Sequence, residues 1–152
     1  MRNFQRTISN EGKLSGVGLH TGKIANVKFI PAIINHGIKF QRVDINDSPL
    51  IEANVDYVTS VERGTTISKN NVNISTIEHL LAAIVGLQID NILIQIDSEE
   101  VPILDGSSIE FIKCLENCNF KDQDAARNYI EISDKLLYKD EKNNVEIAAY
   151  PC

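Results

Sequence analysis

A glutamate and a histidine, Glu78 and His79, stand side by side near the start of a largely apolar segment, residues 75–85. Neutral imidazole is a good ligand for zinc, and a neighbouring carboxylate that stays off the metal can take a proton from a metal-activated water. The pair therefore indicates metal-assisted hydrolysis. A structural interpretation competes with it, because Ser75 and Glu78 have the S-x-x-E spacing of a helix capping box. For an isolated Glu-His pair, the structural interpretation is the more common outcome.

The segment that carries this pair has the apolar spacing of an α-helix, which we predict over residues 76–85. At about 100° per residue, the apolar side chains gather on one core-facing stripe, which consists of Ile77, Leu80, Leu81, Ile84 and Val85. His79 points to the far side, where its companions Thr76, Ala82 and Ala83 carry no charge. A helix without a charged back is usually buried on both sides, so we expect a second partner to pack near His79.

Composition limits the possible classes of protein. The 152 residues fit one domain, and 43% hydrophobic content is enough for a core. The net charge of −6 comes from 21 acidic and 15 basic residues without a basic block, which argues against nucleic-acid binding. No apolar stretch approaches the roughly 20 residues that cross a bilayer, and no signal core follows the N-terminus. We therefore expect a soluble cytoplasmic protein without a transmembrane segment.

The pattern of strands and helices predicts an α+β fold, a single domain with a mainly antiparallel sheet and two helices on one face. Residues 24–30 and 38–40 read as a hairpin, residues 65–67 and 72–74 as a second pair around Asn70-Asn71, and residues 89–96 as a strand. The first helix should end at Gly86 in a left-handed conformation. A second helix is predicted over residues 108–116, with a capping box from Ser107 and Glu110 and an apolar face of Ile109, Ile112 and Leu115, supported by Phe111. Residues 129–132 and 145–150 read as a closing hairpin.

Three further groups of residues could carry chemistry. His20 lies in the glycine-rich segment GVGLHTG, residues 16–22, which could cradle phosphate but lacks the lysine of a P-loop, so a tight structural turn is favoured. Asp105 precedes the second helix, where a carboxylate can bond backbone amides, and a structural role is favoured there too. The cysteines, Cys114, Cys118 and Cys152, lack the spacing of a metal knuckle. We expect reduced thiols, with Cys114 buried and Cys118 at a helix end.

Five segments taken together resemble one family, the UDP-3-O-acyl-N-acetylglucosamine deacetylases. They are RTI at 6–8, GVGLHTG at 16–22, ISTIEHL at 74–80, GLQIDN at 86–91 and VPILDGS at 101–107. The resemblance implies two similar α+β domains with a zinc ion between them. It also implies that His79 is a zinc ligand and that Glu78 is the general base. The reaction implied is hydrolysis of the N-acetyl group of UDP-3-O-acyl-N-acetylglucosamine, with release of acetate, in lipid A biosynthesis.

The resemblance further implies that the remaining site residues come from a second domain. Those residues are two more zinc ligands, a histidine and an aspartate, and a second histidine, whereas this sequence has only His20 and His36 besides His79. We therefore expect residues 1–152 to form the N-terminal domain without the C-terminal domain, folded but inactive, with an incomplete set of Zn²⁺ ligands. One alternative is a non-catalytic module that docks through His79, Ala82 and Ala83. Another is an unrelated hydrolase that homodimerises, with His79 from each subunit on the metal.

Overall fold

The computed structural model describes residues 3–151, which form twelve β-strands and two α-helices. The strands are β1 (Phe4–Ile8), β2 (Gly12–Val17), β3 (Ile24–Pro31), β4 (Ile38–Arg42), β5 (Leu50–Glu52), β6 (Val58–Ser60), β7 (Thr66–Lys69), β8 (Val72–Ile74), β9 (Ile92–Ile96), β10 (Phe120–Ala126), β11 (Leu136–Asp140) and β12 (Val145–Ala149). The helices are α1 (Glu78–Gly86) and α2 (Ile109–Asn117). The predicted α+β class, mainly antiparallel with two helices, is confirmed. No helix in this range is long and apolar enough to cross a membrane.

The centre of the fold is a five-stranded sheet in the order β2-β3-β9-β4-β5. Strand β9 lies in the middle because its alternating isoleucines, Ile92, Ile94 and Ile96, are all fully buried, as the period of two predicted. They share one core with Leu80 of α1 and Phe111 of α2. The two helices therefore cover the inner face of this sheet.

The predicted hairpin of residues 24–40 is wrong. Strands β3 and β4 do form, but β9 lies between them, antiparallel to β3 and parallel to β4. Neighbouring strands often pair, but here the connecting loop bonds elsewhere, since Ala32 donates to the Thr7 hydroxyl and Gly37 donates to the Asn91 side chain. The most apolar strand thereby gains two partners.

The second predicted pair is confirmed as the hairpin of β7 and β8. Asn70 and Asn71 both have positive φ, 51° and 63°, the conformation of a type I′ turn that asparagine tolerates. The closing hairpin is confirmed in its second strand, but its first strand is β11 rather than residues 129–132. The sequence patterns missed β1, β2, β5, β6 and β10. The polar strand β10 pairs with β1 in a separate two-stranded sheet.

Both helices begin within two residues of the predicted starts, but neither predicted capping box forms. Neither N-cap residue makes a side-chain cap bond, because Glu78 accepts from Thr65 and Glu110 pairs with Lys113. At α2 only half of the predicted interaction remains, since the Ser107 hydroxyl accepts from the Ile109 backbone N–H at 3.1 Å. Gly86 belongs to α1, and Gln88, not Gly86, takes the left-handed conformation, with φ 55°. The apolar faces are also rotated from the prediction: Val85 and Ile109 are exposed.

Cys114 and Cys118 are free and Cys118 lies at the C-terminal end of α2, as expected, but Cys114 is less buried than predicted. Cys118 is buried and Cys114 is half-buried, and burial raises the pKa of both thiols. A raised pKa disfavours the reactive thiolate. Cys152 lies outside the described residues.

Candidate functional site

The side chains of Glu78 and His79 leave the first turn of α1 in different directions. Glu78 is exposed, and its Oε2 accepts a hydrogen bond from the Thr65 backbone N–H at 2.9 Å. His79 is only 8% exposed and points into the protein. Neighbours on a helix project about 100° apart, so one residue can reach solvent while the next is enclosed. The carboxylate of Glu78 therefore faces solvent, whereas the imidazole of His79 faces the protein interior.

The imidazole of His79 has one nitrogen paired and the other unpaired. Nε2 lies 2.9 Å from the carbonyl oxygen of Pro102, and the ring meets the Phe111 ring edge-on at 5.1 Å. A carbonyl can only accept, so Nε2 carries the proton and Nδ1 carries the lone pair. Nδ1 is buried without a hydrogen-bond partner, a condition that costs about 1–3 kcal/mol. Histidines that bind metals typically donate the other ring N–H to a carbonyl in this way.

The second partner predicted near His79 is α2, through Phe111. This packing determines how much of the face named for a non-catalytic module, His79, Ala82 and Ala83, reaches solvent. Of its three residues only Ala82 is exposed, because Ala83 is fully buried and His79 nearly so. The exposed side of α1 carries Glu78, Ala82 and Val85 instead.

A buried carboxylate, Glu100, ties the elements around this pair together. It is fully buried and accepts from the backbone N–H of His20 at 3.0 and 3.1 Å and of Thr21 at 2.8 Å. Two hydroxyls donate to it as well, Thr21 Oγ1 at 2.8 Å and Thr76 Oγ1 at 3.0 Å. Burial by itself raises the pKa of Glu100, but these donors outweigh burial and hold it below its usual value.

The glycine-rich loop thus surrounds a carboxylate of the protein itself. The N–H groups that could hold a phosphate already bond Glu100, and a Cβ on Gly18 would lie 2.5 Å from Glu100 Oε2. This geometry favours the structural turn over the phosphate cradle. The imidazole of His20 is exposed, and its Nε2 lies 3.2 Å from the Arg63 carbonyl oxygen. His20 therefore contacts the segment that also bonds Glu78.

Backbone strain occurs at two residues beside Glu78. Thr76 has φ 58° and Arg63 has φ 57°. Left-handed backbone is uncommon outside glycine and a genuine outlier for a β-branched residue such as threonine. Conformations of this kind cost of order 1–3 kcal/mol and are retained where the surroundings enforce them. The Thr76 hydroxyl donates a hydrogen bond to the Glu100 carboxylate at 3.0 Å.

Asp105 lies in the turn before α2. Its Oδ1 accepts from the backbone N–H and from the hydroxyl of Ser107, both at 2.9 Å. The backbone N–H of Ser107 and then its hydroxyl lower the pKa of Asp105. These bonds match the expected bonding of backbone amides ahead of a helix, and they involve neither Glu78 nor His79.

Over residues 3–151, no three side chains of His, Cys, Asp or Glu converge in a way that could hold a metal ion. A zinc ion in a catalytic site needs three protein ligands. His79, with its unpaired nitrogen, fits as one of them. Within the described part of the chain, a single imidazole with an unpaired nitrogen is available, and the two further ligands that such a site needs are not.

Sequence reasoning missed Glu100, Thr76, Pro102 and Phe111 as residues that support the site. Glu100 follows another glutamate, Glu99, and nothing in the pattern distinguishes the buried acid from the exposed one. The one feature of the sequence that could have drawn attention to this region is Pro102, which interrupts the apolar residues around it. These residues act through contacts between distant parts of the chain.

The lowered pKa of Glu100 predicts acid sensitivity. Its folded-state pKa lies below its ordinary value of 4.5, so its contribution to stability is complete above about pH 4.5 and is lost as the pH falls through the folded pKa. We expect the free energy of unfolding, measured by urea titration, to fall in this window. The slope of the free energy of unfolding against pH should be smaller in Glu100→Gln than in the wild type. It should be unchanged in Glu99→Gln, because the Glu99 carboxylate is exposed. An equal slope in Glu100→Gln and the wild type would contradict the assignment.

The fold and the site define an α+β domain whose first helix begins with an outward carboxylate and an inward imidazole. The chain matches the LpxC family model, UDP-3-O-acyl N-acetylglycosamine deacetylase, over residues 5–152. It belongs to this family.

Curated relatives agree with this membership. The chain is 45% identical over 147 residues to a bifunctional enzyme LpxC/FabZ of Chlorobaculum tepidum, covering 97% of this chain and 32% of the relative. It is 39% identical over 147 residues to the UDP-3-O-acyl-N-acetylglucosamine deacetylase of Teredinibacter turnerae, covering 97% of this chain and 48% of the relative. The chain therefore spans about a third to a half of the length of these curated relatives.

Proposed function

We propose that this chain supplies one half of the active site of a zinc-dependent deacetylase. The substrate would be UDP-3-O-acyl-N-acetylglucosamine, whose N-acetyl group is hydrolysed to acetate in lipid A biosynthesis, in the cytoplasm. The observation that carries the proposal is the unpaired Nδ1 of His79, whose neighbour in sequence, Glu78, presents an exposed carboxylate. Membership of the deacetylase family supports the choice of substrate.

Each residue of the pair has a distinct role in this proposal. His79 would hold the zinc ion, with its ring oriented by the Pro102 carbonyl and enclosed by Phe111. When bound, zinc polarises the acetamide carbonyl and activates water. Glu78 is the general base: the Thr65 N–H holds Oε2, which leaves Oε1 to accept the proton of the attacking water. The proton can then pass to the departing amine.

The site must be completed by residues outside this chain. His79 would provide one of the three protein ligands that a catalytic zinc needs, and residues 3–151 contain no cluster of three such side chains. The resemblance to the family assigns the other ligands to a C-terminal domain, which is therefore the proposed partner. A polypeptide of these 152 residues alone should fold without hydrolysing the substrate.

The test is zinc content and deacetylase activity of this chain, alone and joined to the remaining part of the Teredinibacter turnerae deacetylase. We expect one zinc per completed enzyme and turnover only after completion. His79→Gln should weaken zinc binding at least about 100-fold, since loss of a mere supporting contact already costs 10–100-fold. His36→Gln, in the loop before β4, is the matched control and should bind zinc normally. Unchanged zinc affinity in His79→Gln would overturn the proposal.

A further inference from the structure

The backbone around Glu100 is bonded to the residues just before α1. Ser75 donates its N–H to the Glu99 carbonyl at 2.9 Å, and Val101 donates its N–H to the Ser75 carbonyl at 3.1 Å. This pairing places the Glu100 side chain directly beside Thr76, whose hydroxyl it accepts at 3.0 Å. The start of α1 is therefore attached to Glu100 through both backbone and side chain.

Thr76 controls the direction in which α1 begins. It is buried, has φ 58°, and precedes the helix by two residues. Relaxation of this residue to ordinary backbone angles would rotate the first turn of α1, and with it both Glu78 and His79. Because the left-handed conformation is unfavourable for threonine, it needs a contact that holds it.

The carboxylate of Glu100 is itself immobilised from the opposite side. The loop of residues 18–21 donates two backbone N–H groups and the Thr21 hydroxyl to it. Its bonds go to Thr76 and to this loop, and not to Glu78 or His79. Any effect of Glu100 on the reaction must therefore act through Thr76.

We propose that Glu100 is a positioning residue: its carboxylate holds Thr76 in the left-handed conformation and thereby aims Glu78 and His79. Its catalytic consequence rests on the proposed function, whereas the orientation of the two side chains is a property of this chain by itself. The bond from Thr65 N–H to Glu78 Oε2 and the bond from His79 to the Pro102 carbonyl both report that orientation.

The first test uses this chain and needs no activity. Thr76→Val removes the hydroxyl at nearly constant shape, Thr76→Ser retains it, and Glu100→Gln removes the charge. We expect amide hydrogen exchange at Thr65, relative to that at Ile94 in β9, to rise at least about 10-fold in Thr76→Val and in Glu100→Gln. Thr76→Ser and the neighbouring control Glu99→Gln should keep the wild-type ratio. Since global destabilisation accelerates both amides, the ratio isolates a local change of position.

The second test uses the completed enzyme. Misplacement of about 1 Å can cost about 100-fold in rate, so we expect kcat per folded, zinc-loaded enzyme to fall about 10- to 100-fold in Thr76→Val, with KM within about 3-fold of wild type. Thr76→Ser should restore kcat. Wild-type exchange ratios in both Thr76→Val and Glu100→Gln would overturn the positioning role. Altered exchange in a completed enzyme that never deacetylates would instead contradict the proposed function and leave the positioning role supported.

Discussion

Replacement of Glu78 by glutamine should lower kcat of the completed deacetylase by about 10²- to 10⁴-fold, the range that a positioned general base contributes. Glutamine has nearly the same shape, and its amide oxygen can still accept the Thr65 N–H that holds Oε2 in the wild type. What it loses is the ability to take a proton from water. The free energy of unfolding should therefore stay within about 0.5 kcal/mol of wild type, as for other exposed positions.

Three measurements separate this loss from indirect effects. Zinc content should remain one per enzyme and KM should stay close to wild type, because Glu78 is not assigned as a metal ligand. Glu62→Gln removes another exposed acid from the preceding segment and should retain full activity. Turnover by Glu78→Gln at the wild-type rate would remove Glu78 from the mechanism, and loss of zinc together with activity would make it a ligand instead.

Replacement of Gly18 by alanine should destabilise the fold by about 2–4 kcal/mol. The added Cβ would lie 2.5 Å from both Glu100 Oε2 and Thr21 Oγ1, so at least one of them must move. Overpacking costs about 1–3 kcal/mol, and each bond to the charged carboxylate that is stretched adds a further loss of about 1.5–3 kcal/mol at most. In a thermal unfolding experiment the midpoint should fall by roughly 5–15 °C.

Gly86→Ala is the matched control for this substitution. Gly86 is helical, and a Cβ there meets nothing within 4 Å, so the change should stabilise the chain by about 0.5–1 kcal/mol through the lower backbone entropy of alanine. The two glycine replacements should therefore have opposite signs. Equal thermal midpoints for Gly18→Ala and the wild type would show that the loop of residues 18–21 does not pack against Glu100 and bond to it as described.

Local patterns predicted a large part of the fold. The period of two in Ile92, Ile94 and Ile96 identified β9, and the Asn70-Asn71 pair identified the hairpin of β7 and β8. Both signals are properties of a few consecutive residues. The predicted capping boxes failed because their side chains bond to residues outside the box. Ser75, Glu78 and Glu110 have the correct spacing for capping boxes, but each has another partner. The Ser75 hydroxyl donates to the Glu99 carbonyl, and the two glutamates bond Thr65 and Lys113. Spacing does not reveal which partner prevails.

The sequence by itself determined that Glu78 and His79 would begin a helix together and that an isoleucine-rich strand would be buried. Only the tertiary structure decided that the two side chains diverge, that Phe111 encloses His79, and that β9 separates β3 from β4. It also decided that Glu100 lies under a loop 80 residues earlier in the chain, at His20. The physical reason is that periodicity records which face of an element is apolar, whereas hydrogen-bond partners and packing neighbours are chosen by competition among all segments that reach the same core.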